Sequence, residues 1–198
     1  MYLDVSAAPY SANKTGTADA RAAFASADAA GGTLYVPRGT YRIDSNLTLS
    51  SDVHFEEGAV IRPNANVTVT LNGTLDAGAF QAFDIKTFTG AKVVLGKAER
   101  LLPQWWGATG NGSTDDYAPI AAALASAAKS TQYGSGARGA ILFFPPGIYR
   151  VTKPLDLTPF QMNLLGSGQF QSVIRGDTGR AIIELVGGGY SSVKGFTL

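Results

Sequence analysis

Two adjacent carboxylates, Asp115 and Asp116, are the residues whose types and spacing most suggest catalysis. Carboxylate pairs serve as acid and base, or as acid and nucleophile, in the cleavage of glycosidic bonds. The pair directly precedes an alanine-rich stretch, however, and the free N–H groups at a helix start need acceptors of this kind. We therefore predict that Asp115 and Asp116 cap a helix, as Asp19 does at the corresponding position earlier in the chain.

The other acidic residues are predicted to have no catalytic role within this chain. Glu56 and Glu57 directly precede Gly58 and are typical of a solvated turn. Asp177 and Glu184 are isolated in a region of predicted strands. They would line a groove only if partner residues came from elsewhere.

The single histidine, His54, lies between Val53 and Phe55. On a strand its side chain points away from the face of both neighbours, so we predict a surface or corner position. One histidine cannot supply the ligands of a His-rich metal site, and no nucleophile elbow is visible. A phosphate-binding loop and a complete dinucleotide fingerprint are also absent. We predict no metal site and no cofactor.

Trp105 and Trp106 are the candidate carbohydrate-binding residues, because an exposed indole ring can stack on a sugar ring. The alternative is that both rings form a hydrophobic plug joining two modules of the chain. We favour the packing interpretation and keep sugar binding as the second.

Composition excludes several functional classes. Sixteen basic and 15 acidic residues leave a formal charge of +1, a balance that does not indicate nucleic-acid binding. Cysteine is absent, which excludes disulfides and cysteine nucleophiles. Hydrophobic residues make up 45% of the chain, enough for a core, but no apolar run reaches the length of a membrane span. Residues 1–14 lack the apolar stretch of a secretory signal.

Two short helices and many short strands are expected to position these residues. Alanine-rich stretches predict helices over 18–30 and 115–129. Apolar or alternating runs predict strands at 33–36, 41–43, 46–49, 53–55, 67–71, 140–144, 149–151, 155–157, 162–165, 181–186 and 193–198. Residues 131–139 are predicted to be a longer loop, and no further helix is long enough for a βαβ fold.

One pattern occurs twice in the same order, over 9–62 and 105–175. The matched residues are Gly16 with Gly112, Asp19 with Asp115, Pro37 with Pro145, Gly39 with Gly147, Tyr41 with Tyr149, Arg42 with Arg150, and Ile61 with Ile174. We predict that the paired tyrosines pack at equivalent corners and that the paired arginines are solvated or salt-bridged. The repeat divides the chain into modules 1–98 and 99–198, joined by 90–103.

Two all-β architectures fit these strands: an antiparallel sandwich or barrel, and a parallel β-helix in which circuits of strands stack. Leu34 and Val53, like Leu142 and Leu164, are separated by about one such circuit. A solenoid must cover its open end, and a short amphipathic helix would do so. The residues predicted to face the core are Ala22, Phe24, Ala27, Ile120, Ala123, Leu124 and Ala127. We favour the β-helix.

The string W-G-A-x-G-x-G-x-T-D-D at 106–116, followed by an alanine-rich helix and F-P-P-G-x-Y at 144–149, resembles pectate-lyase-like right-handed β-helix proteins. The resemblance is strongest to the N-terminal regions of bacteriophage tailspikes and polysaccharide depolymerases. It covers most of 103–198 and is looser in the first copy. It implies a right-handed parallel β-helix with capping helices, a homotrimer, and catalytic carboxylates that lie on later strands or between subunits.

We therefore expect the N-terminal part of a phage tailspike or tail fibre, inactive alone, that positions a polysaccharide-degrading β-helix. The first module would be an adaptor, and the second would open the main β-helix, which would continue beyond the chain. The expected partners are bacterial surface polysaccharide, further copies of the chain, and other tail or baseplate proteins. The expected location is the virion, without nucleic-acid binding or membrane insertion. Two alternatives are a secreted bacterial polysaccharide lyase, hydrolase or epimerase, and a purely structural attachment or trimerisation module.

Overall fold

The computed structural model describes residues 1–87, 89–97, 100–127, 141–157, 163–177, 181–184 and 192–198. The chain forms two compact units, Met1–Lys97 and Ala98–Leu198. Of the predicted elements, residues 128–129, 131–140, 162 and 185–186 lie outside the described residues.

The first unit begins with two strands and a helix and continues as strands. Its elements are β1 (Tyr2–Asp4), β2 (Thr15–Asp19), α1 (Arg21–Ala30), β3 (Thr33–Val36), β4 (Gly39–Ile43), β5 (Leu47–Leu49), β6 (Val53–Phe55), β7 (Ala59–Pro63), β8 (Thr68–Leu71), β9 (Leu75–Asp76) and β10 (Lys92–Leu95).

These strands form three parallel sheets: sheet A in the order β1-β3-β6-β9, sheet B in the order β2-β4-β7, and sheet C in the order β10-β8-β5. From β3 onward the chain passes through sheets A, B and C in turn and then starts the next circuit. Leu34 pairs with Val53, and Val53 pairs with Leu75. Each strand of sheet A therefore lies beside the strand one circuit earlier.

The second unit repeats this plan. Its elements are β11 (Arg100–Leu101), a 3-10 helix (Pro103–Trp106), β12 (Asn111–Asp115), α2 (Tyr117–Ala127), β13 (Ile141–Phe144), β14 (Gly147–Val151), β15 (Leu155–Asp156), β16 (Asn163–Gly166), β17 (Ser172–Gly176), β18 (Ile183–Glu184) and β19 (Ser192–Lys194). Sheet D has the order β11-β13-β16-β19, sheet E the order β12-β14-β17, and sheet F pairs β15 with β18.

The all-β prediction is confirmed, because strands dominate and the described residues contain two α-helices. Every strand pair among the described residues is parallel. This pairing contradicts the antiparallel sandwich or barrel. Neither described helix combines the length and apolarity needed to cross a membrane.

The interior of each unit is built from alternate strand residues. Leu34 and Val36 of β3 are fully buried, whereas Thr33 and Tyr35 between them are partly exposed. Successive side chains on a strand point to opposite faces, so one face of each sheet faces the core and the other faces solvent.

The helices bury one side against these interiors. Phe24 and Ala27 of α1 are buried as predicted, and so are the α2 residues Ile120, Ala123 and Leu124. The prediction for Ala22 was wrong, because Ala22 is exposed. With 3.6 residues per turn, a residue two positions before Phe24 points to the opposite side of the helix. The side chain of Ala127 is outside the described part.

Both helices begin later than predicted, at Arg21 and Tyr117. The polar segments before them form the strands β2 and β12, which pair with β4 and β14 through an irregular register. Close backbone contact explains the glycine that opens each partner strand. A Cβ atom on Gly39 would lie 2.7 Å from the Lys14 carbonyl oxygen, and one on Gly147 would lie 2.8 Å from the Gly110 carbonyl oxygen.

Candidate functional site: the outer face of sheet A

The predicted capping carboxylates Asp19 and Asp115 occupy matching positions. Asp19 Oδ1 accepts hydrogen bonds from the backbone N–H of Arg21 at 3.0 Å and of Asp44 at 3.1 Å. Asp115 Oδ1 accepts them from Tyr117 at 3.0 Å and from Thr152 at 3.2 Å. Each carboxylate therefore holds the first helical N–H and also the end of the neighbouring strand of sheet B or E.

The surroundings of Asp115 favour its charged form. Burial alone would raise the pKa of Asp115, but hydrogen bonds from Thr152 and Tyr117 lower the pKa below its usual value. A carboxylate with these contacts is a structural acceptor rather than a proton donor at neutral pH.

Asp116 does not cap the helix through its side chain, in contrast to the prediction. The side chain is fully buried, and its carboxylate accepts hydrogen bonds from the backbone N–H of Thr109 at 2.7 Å and of Gly110 at 3.0 Å. Its carbonyl oxygen accepts the first helical bond, from Ile120 at 3.1 Å. The side chain thus holds the loop before β12, and the repeat places Ala20 at this position in the first unit.

Trp105 and Trp106 lie in the 3-10 helix, with 5% and 1% of their surface exposed. The ring centroids are 6.2 Å apart and the planes are tilted by 45°. Because so little of either ring is exposed, neither presents a face for a sugar in this structure. Burial favours the packing interpretation over carbohydrate binding.

The paired tyrosines are buried at equivalent corners, as predicted. The Tyr41 hydroxyl donates to the Pro37 carbonyl oxygen at 2.7 Å, and the Tyr149 hydroxyl donates to that of Pro145 at 2.9 Å. Tyr149 also accepts a 2.6 Å bond from Gln104 Nε2. Burial raises the pKa of Tyr41, and it raises that of Tyr149 to about 12.

The paired arginines form ion pairs, as predicted. Arg42 Nε lies 2.7 Å from Asp44 Oδ1, and Arg150 Nη2 lies 3.2 Å from Asp177 Oδ1. Asp177 therefore has a charge partner, whereas Glu184 is exposed on β18.

The outer face of sheet A carries a group of titratable and aromatic side chains that the sequence did not bring together. The strand register aligns Asp4 with Tyr35, Tyr35 with His54, and His54 with Asp76. All four side chains are on the face opposite the buried Leu34 and Val53 series. A column of acid, phenol, imidazole and acid therefore crosses β1, β3, β6 and β9.

Three rings of this face form what we call the aromatic cluster: Tyr2, Tyr35 and His54. The Tyr35 and His54 rings are nearly parallel, with planes 19° apart and centroids 5.9 Å apart. Tyr2 stands edge-on to both, 6.4 Å from Tyr35 and 5.7 Å from His54. Together the rings line an open pocket of about 360 Å³.

Two carboxylates hold the cluster from opposite ends. His54 Nδ1 is 2.6 Å from Asp76 Oδ2, and the Tyr35 hydroxyl donates to Glu56 Oε2 at 3.0 Å. The bond to Glu56 raises the pKa of Tyr35. The backbone N–H of Arg38 and then the Tyr35 hydroxyl lower the pKa of Glu56. Glu56 and Glu57 are exposed and Glu57 and Gly58 form a turn, as predicted; the hydrogen bond from Tyr35 to Glu56 was not predicted.

A second hollow adjoins Glu56. Its volume is about 540 Å³, and its lining includes Arg38, Glu57, Phe80 and Gln81. It combines a ring, an amide and charges of both signs, the kinds of group that hold polar ligands.

The corresponding face of sheet D has different chemistry. Arg100 lies over the Phe143 ring, 4.3 Å from its centroid. Ser192 Oγ donates to Asn163 Oδ1 at 2.6 Å. A hollow of about 280 Å³ is lined here by Ile141, Asn163, Leu164, Leu165, Ser192 and Lys194. The described residues of this face include basic and aliphatic side chains but no carboxylate.

Neither face is arranged as a metal centre. Within the described residues, no three or more His, Asp or Glu side chains are grouped to hold a metal ion. The His54–Asp76 pair instead fixes the orientation of the imidazole ring. When Nδ1 carries the proton, Nε2 is an acceptor.

The second unit matches a known protein family. Residues 105–191 match the family described as Rhamnogalacturonase A/epimerase, pectate lyase-like. This match, which covers less than half of the chain, supports the pectate-lyase-like superfamily. No curated protein and no solved structure shows significant similarity to the chain. The closeness to tailspikes stays a prediction.

Proposed function

We propose that this chain belongs to a tailspike-type protein and positions a polysaccharide-binding and polysaccharide-degrading β-helix. The observation that carries the proposal is the family match of residues 105–191. The family name refers to enzymes of pectic polysaccharides, so a polysaccharide is the favoured ligand class.

The strand arrangement supports a right-handed parallel β-helix as the architecture of both units. Three sheets are visited in turn, every described pair is parallel, and each strand lies beside the strand one circuit earlier. Stacked circuits of this kind extend by adding further copies and present long outer faces. Such faces suit binding to a chain of repeated sugars.

The proposed role of the chain is positioning rather than cleavage. The acids that the sequence singled out hold structural contacts, with Asp115 at a helix start and Asp116 in a buried loop. In this proposal the bond-breaking carboxylates belong to other circuits or to a neighbouring subunit, and the assembled protein is a homotrimer on a phage tail.

A secreted bacterial enzyme is the second candidate, and the family description favours it because it refers to a rhamnogalacturonase and an epimerase. The two candidates differ in location and partners but share the polysaccharide class. Electron microscopy of virions labelled with an antibody to residues 1–97 separates them, because only a tailspike gives label on phage tails.

The test of the proposal compares the natural gene product with residues 1–198 on capsular and pectic polysaccharides. Release of reducing ends measures hydrolysis, and absorbance of unsaturated uronides measures elimination. We expect cleavage by the natural gene product and none by residues 1–198, with sedimentation equilibrium showing a trimer for the natural gene product. Robust cleavage by residues 1–198 would contradict the positioning role. Failure of the natural gene product to bind or cleave any polysaccharide would contradict the function.

A further inference from the structure

The aromatic cluster of the first unit is an exposed group of rings outside the region that matches the family. Tyr2 is 65% exposed, and the side chains of His54 and Asp76 are 34% and 75% exposed. Rings grouped at a surface keep apolar area in contact with water. Exposed apolar groups rimmed by polar residues mark ligand or partner sites more often than isolated exposed residues do.

The shape of the cluster suits a flat ligand with an apolar side. Tyr35 and His54 are stacked nearly parallel, and Tyr2 is inclined to them by 77° and 65°, so the three rings offer apolar ring surface from two directions. The pocket of about 360 Å³ is at the small end of the range typical of ligand sites. A single sugar ring, which presents C–H groups on one side and hydroxyls around its edge, has this form.

Two carboxylates that are hydrogen-bonded to the rings lining the pocket supply acceptors for hydroxyl groups. Asp76 holds His54 through one oxygen, at 2.6 Å, and remains largely exposed. Glu56 holds the hydroxyl of Tyr35. Carboxylates accept strong hydrogen bonds from O–H donors, and ring nitrogens of histidine can donate or accept.

The charges around the pocket discriminate between sugars. Asp4 and Asp76 of the column carry negative charge, as does Glu56 bonded to Tyr35, and Arg38 beside Glu56 offsets part of it. A uronate carboxylate would be repelled by this surface, whereas an uncharged sugar would not.

We propose that the aromatic cluster, with Asp76 and Glu56, is a binding site for a neutral pyranose ring. That the ligand is a sugar rests on the proposed function. That the site disfavours uronates rests on the negative charges of the face. The site would add a contact for uncharged residues of a polysaccharide to whatever the pectate-lyase-like region binds.

Saturation-transfer NMR on residues 1–198 tests the site. The neutral probes are the hexasaccharides of glucose, mannose, galactose and N-acetylglucosamine, and the anionic probe is hexagalacturonate. We expect transfer to at least one neutral probe and about 10-fold weaker binding, or none, for hexagalacturonate. No binding of any neutral probe, or equal binding of hexagalacturonate that the ring variants below also weaken, overturns the proposal.

Ring variants locate the binding. Tyr2→Ala and Tyr35→Ala should each weaken binding of the neutral probe about 5-fold or more, because each removes a ring surface. Tyr35→Phe keeps the ring and should weaken binding of the neutral probe about 2-fold or less. Phe170→Ala is the matched control, since Phe170 is 78% exposed but belongs to the second unit. Circular dichroism checks that each variant is folded.

The two proposals fail in different ways. Unchanged binding in both Tyr→Ala variants overturns the aromatic site even when the natural gene product degrades a polysaccharide. Loss of neutral-sugar binding in those variants, together with a natural gene product that cleaves no polysaccharide, supports the site and contradicts the proposed function.

Discussion

The outer faces of sheet A and sheet D occupy corresponding places in two units of the same plan and differ in chemistry. Sheet A carries the column Asp4, Tyr35, His54 and Asp76. Sheet D carries Arg100 over Phe143, with aliphatic and amide side chains beside them. The buried faces are alike, with Leu34 beside Val53 in one and Leu142 beside Leu164 in the other. The core pattern is therefore retained where packing requires it, and the solvent face is free to change.

The largest expected effect comes from a buried difference between the units. Asp116→Ala should lower the free energy of unfolding of the second unit by about 3 kcal/mol, because it removes the buried carboxylate that accepts hydrogen bonds from the N–H groups of Thr109 and Gly110. Urea denaturation followed by tryptophan fluorescence measures this, since both tryptophans, Trp105 and Trp106, are in the second unit.

The control for this variant is Asp177→Ala, which removes a partly exposed ion pair. Such pairs contribute about 0–1 kcal/mol. A loss in Asp116→Ala no larger than that in Asp177→Ala would show that the loop does not depend on the carboxylate.

The matching tyrosines provide a smaller contrast. Tyr41→Phe should lower the free energy of unfolding by about 1 kcal/mol, because the hydrogen bond to the Pro37 carbonyl oxygen is lost. Tyr149→Phe should cost about 2 kcal/mol, because it also removes the partner of Gln104 Nε2. Thermal unfolding by calorimetry ranks the two variants, and equal losses would mean that Gln104 finds another partner.

Acid should affect the first unit more than the second. The pKa values of Asp44, Asp52, Glu56 and Asp84 are lowered, mainly by hydrogen bonds, although burial acts against this and is the largest influence for Asp84. In the second unit the described residue with a lowered carboxyl pKa is Asp115. A carboxyl group with a lowered folded pKa stabilises above its unfolded pKa and loses this contribution as pH falls through the folded value.

The expected window is therefore from about pH 5 down to about pH 3. Hydrogen exchange of peptides from residues 1–97 should accelerate in this window beyond the intrinsic pH dependence, and more than exchange of peptides from the second unit. Equal acceleration in both units would contradict the assignment of these contacts.

The smallest expected effect concerns the basic face. Arg100→Ala should lower the free energy of unfolding by about 0.5 kcal/mol, because the contact with the Phe143 ring is lost. Lys194→Ala on the same face should leave the free energy of unfolding nearly unchanged. Urea denaturation of both variants compares them. A cost above about 2 kcal/mol would show that Arg100 has a structural role beyond the ring contact.

Local features were predictable from the sequence because their causes are local. The strand Thr33–Val36 was predicted with its bounds, because it is an apolar run of strand length that ends at a proline and glycine turn. The Tyr41 and Tyr149 corners followed from the repeated proline and glycine turns. Asp19 and Asp115 were recognised as acceptors because a helix start always needs them.

Other features depend on strand pairing between circuits or on the direction of a side chain, and these were missed. The polar segments Thr15–Asp19 and Asn111–Asp115 have no apolar alternation, yet they form strands by pairing with β4 and β14. Asp116 was expected to cap a helix because it directly precedes the alanine-rich stretch, but its side chain bonds to Thr109 and Gly110. The orientation of a side chain cannot be predicted from a single sequence.

The sequence by itself determined the repeat, the all-β class and the identity of every residue on the aromatic cluster. One signal in it pointed to the cluster: the spacing that pairs Leu34 with Val53 also pairs Tyr35 with His54. Only the tertiary structure decided that Asp76 and Tyr2 join them, because turns of unequal length separate the circuits and set the register. Backbone hydrogen bonding between parallel strands then converts distant positions into one surface.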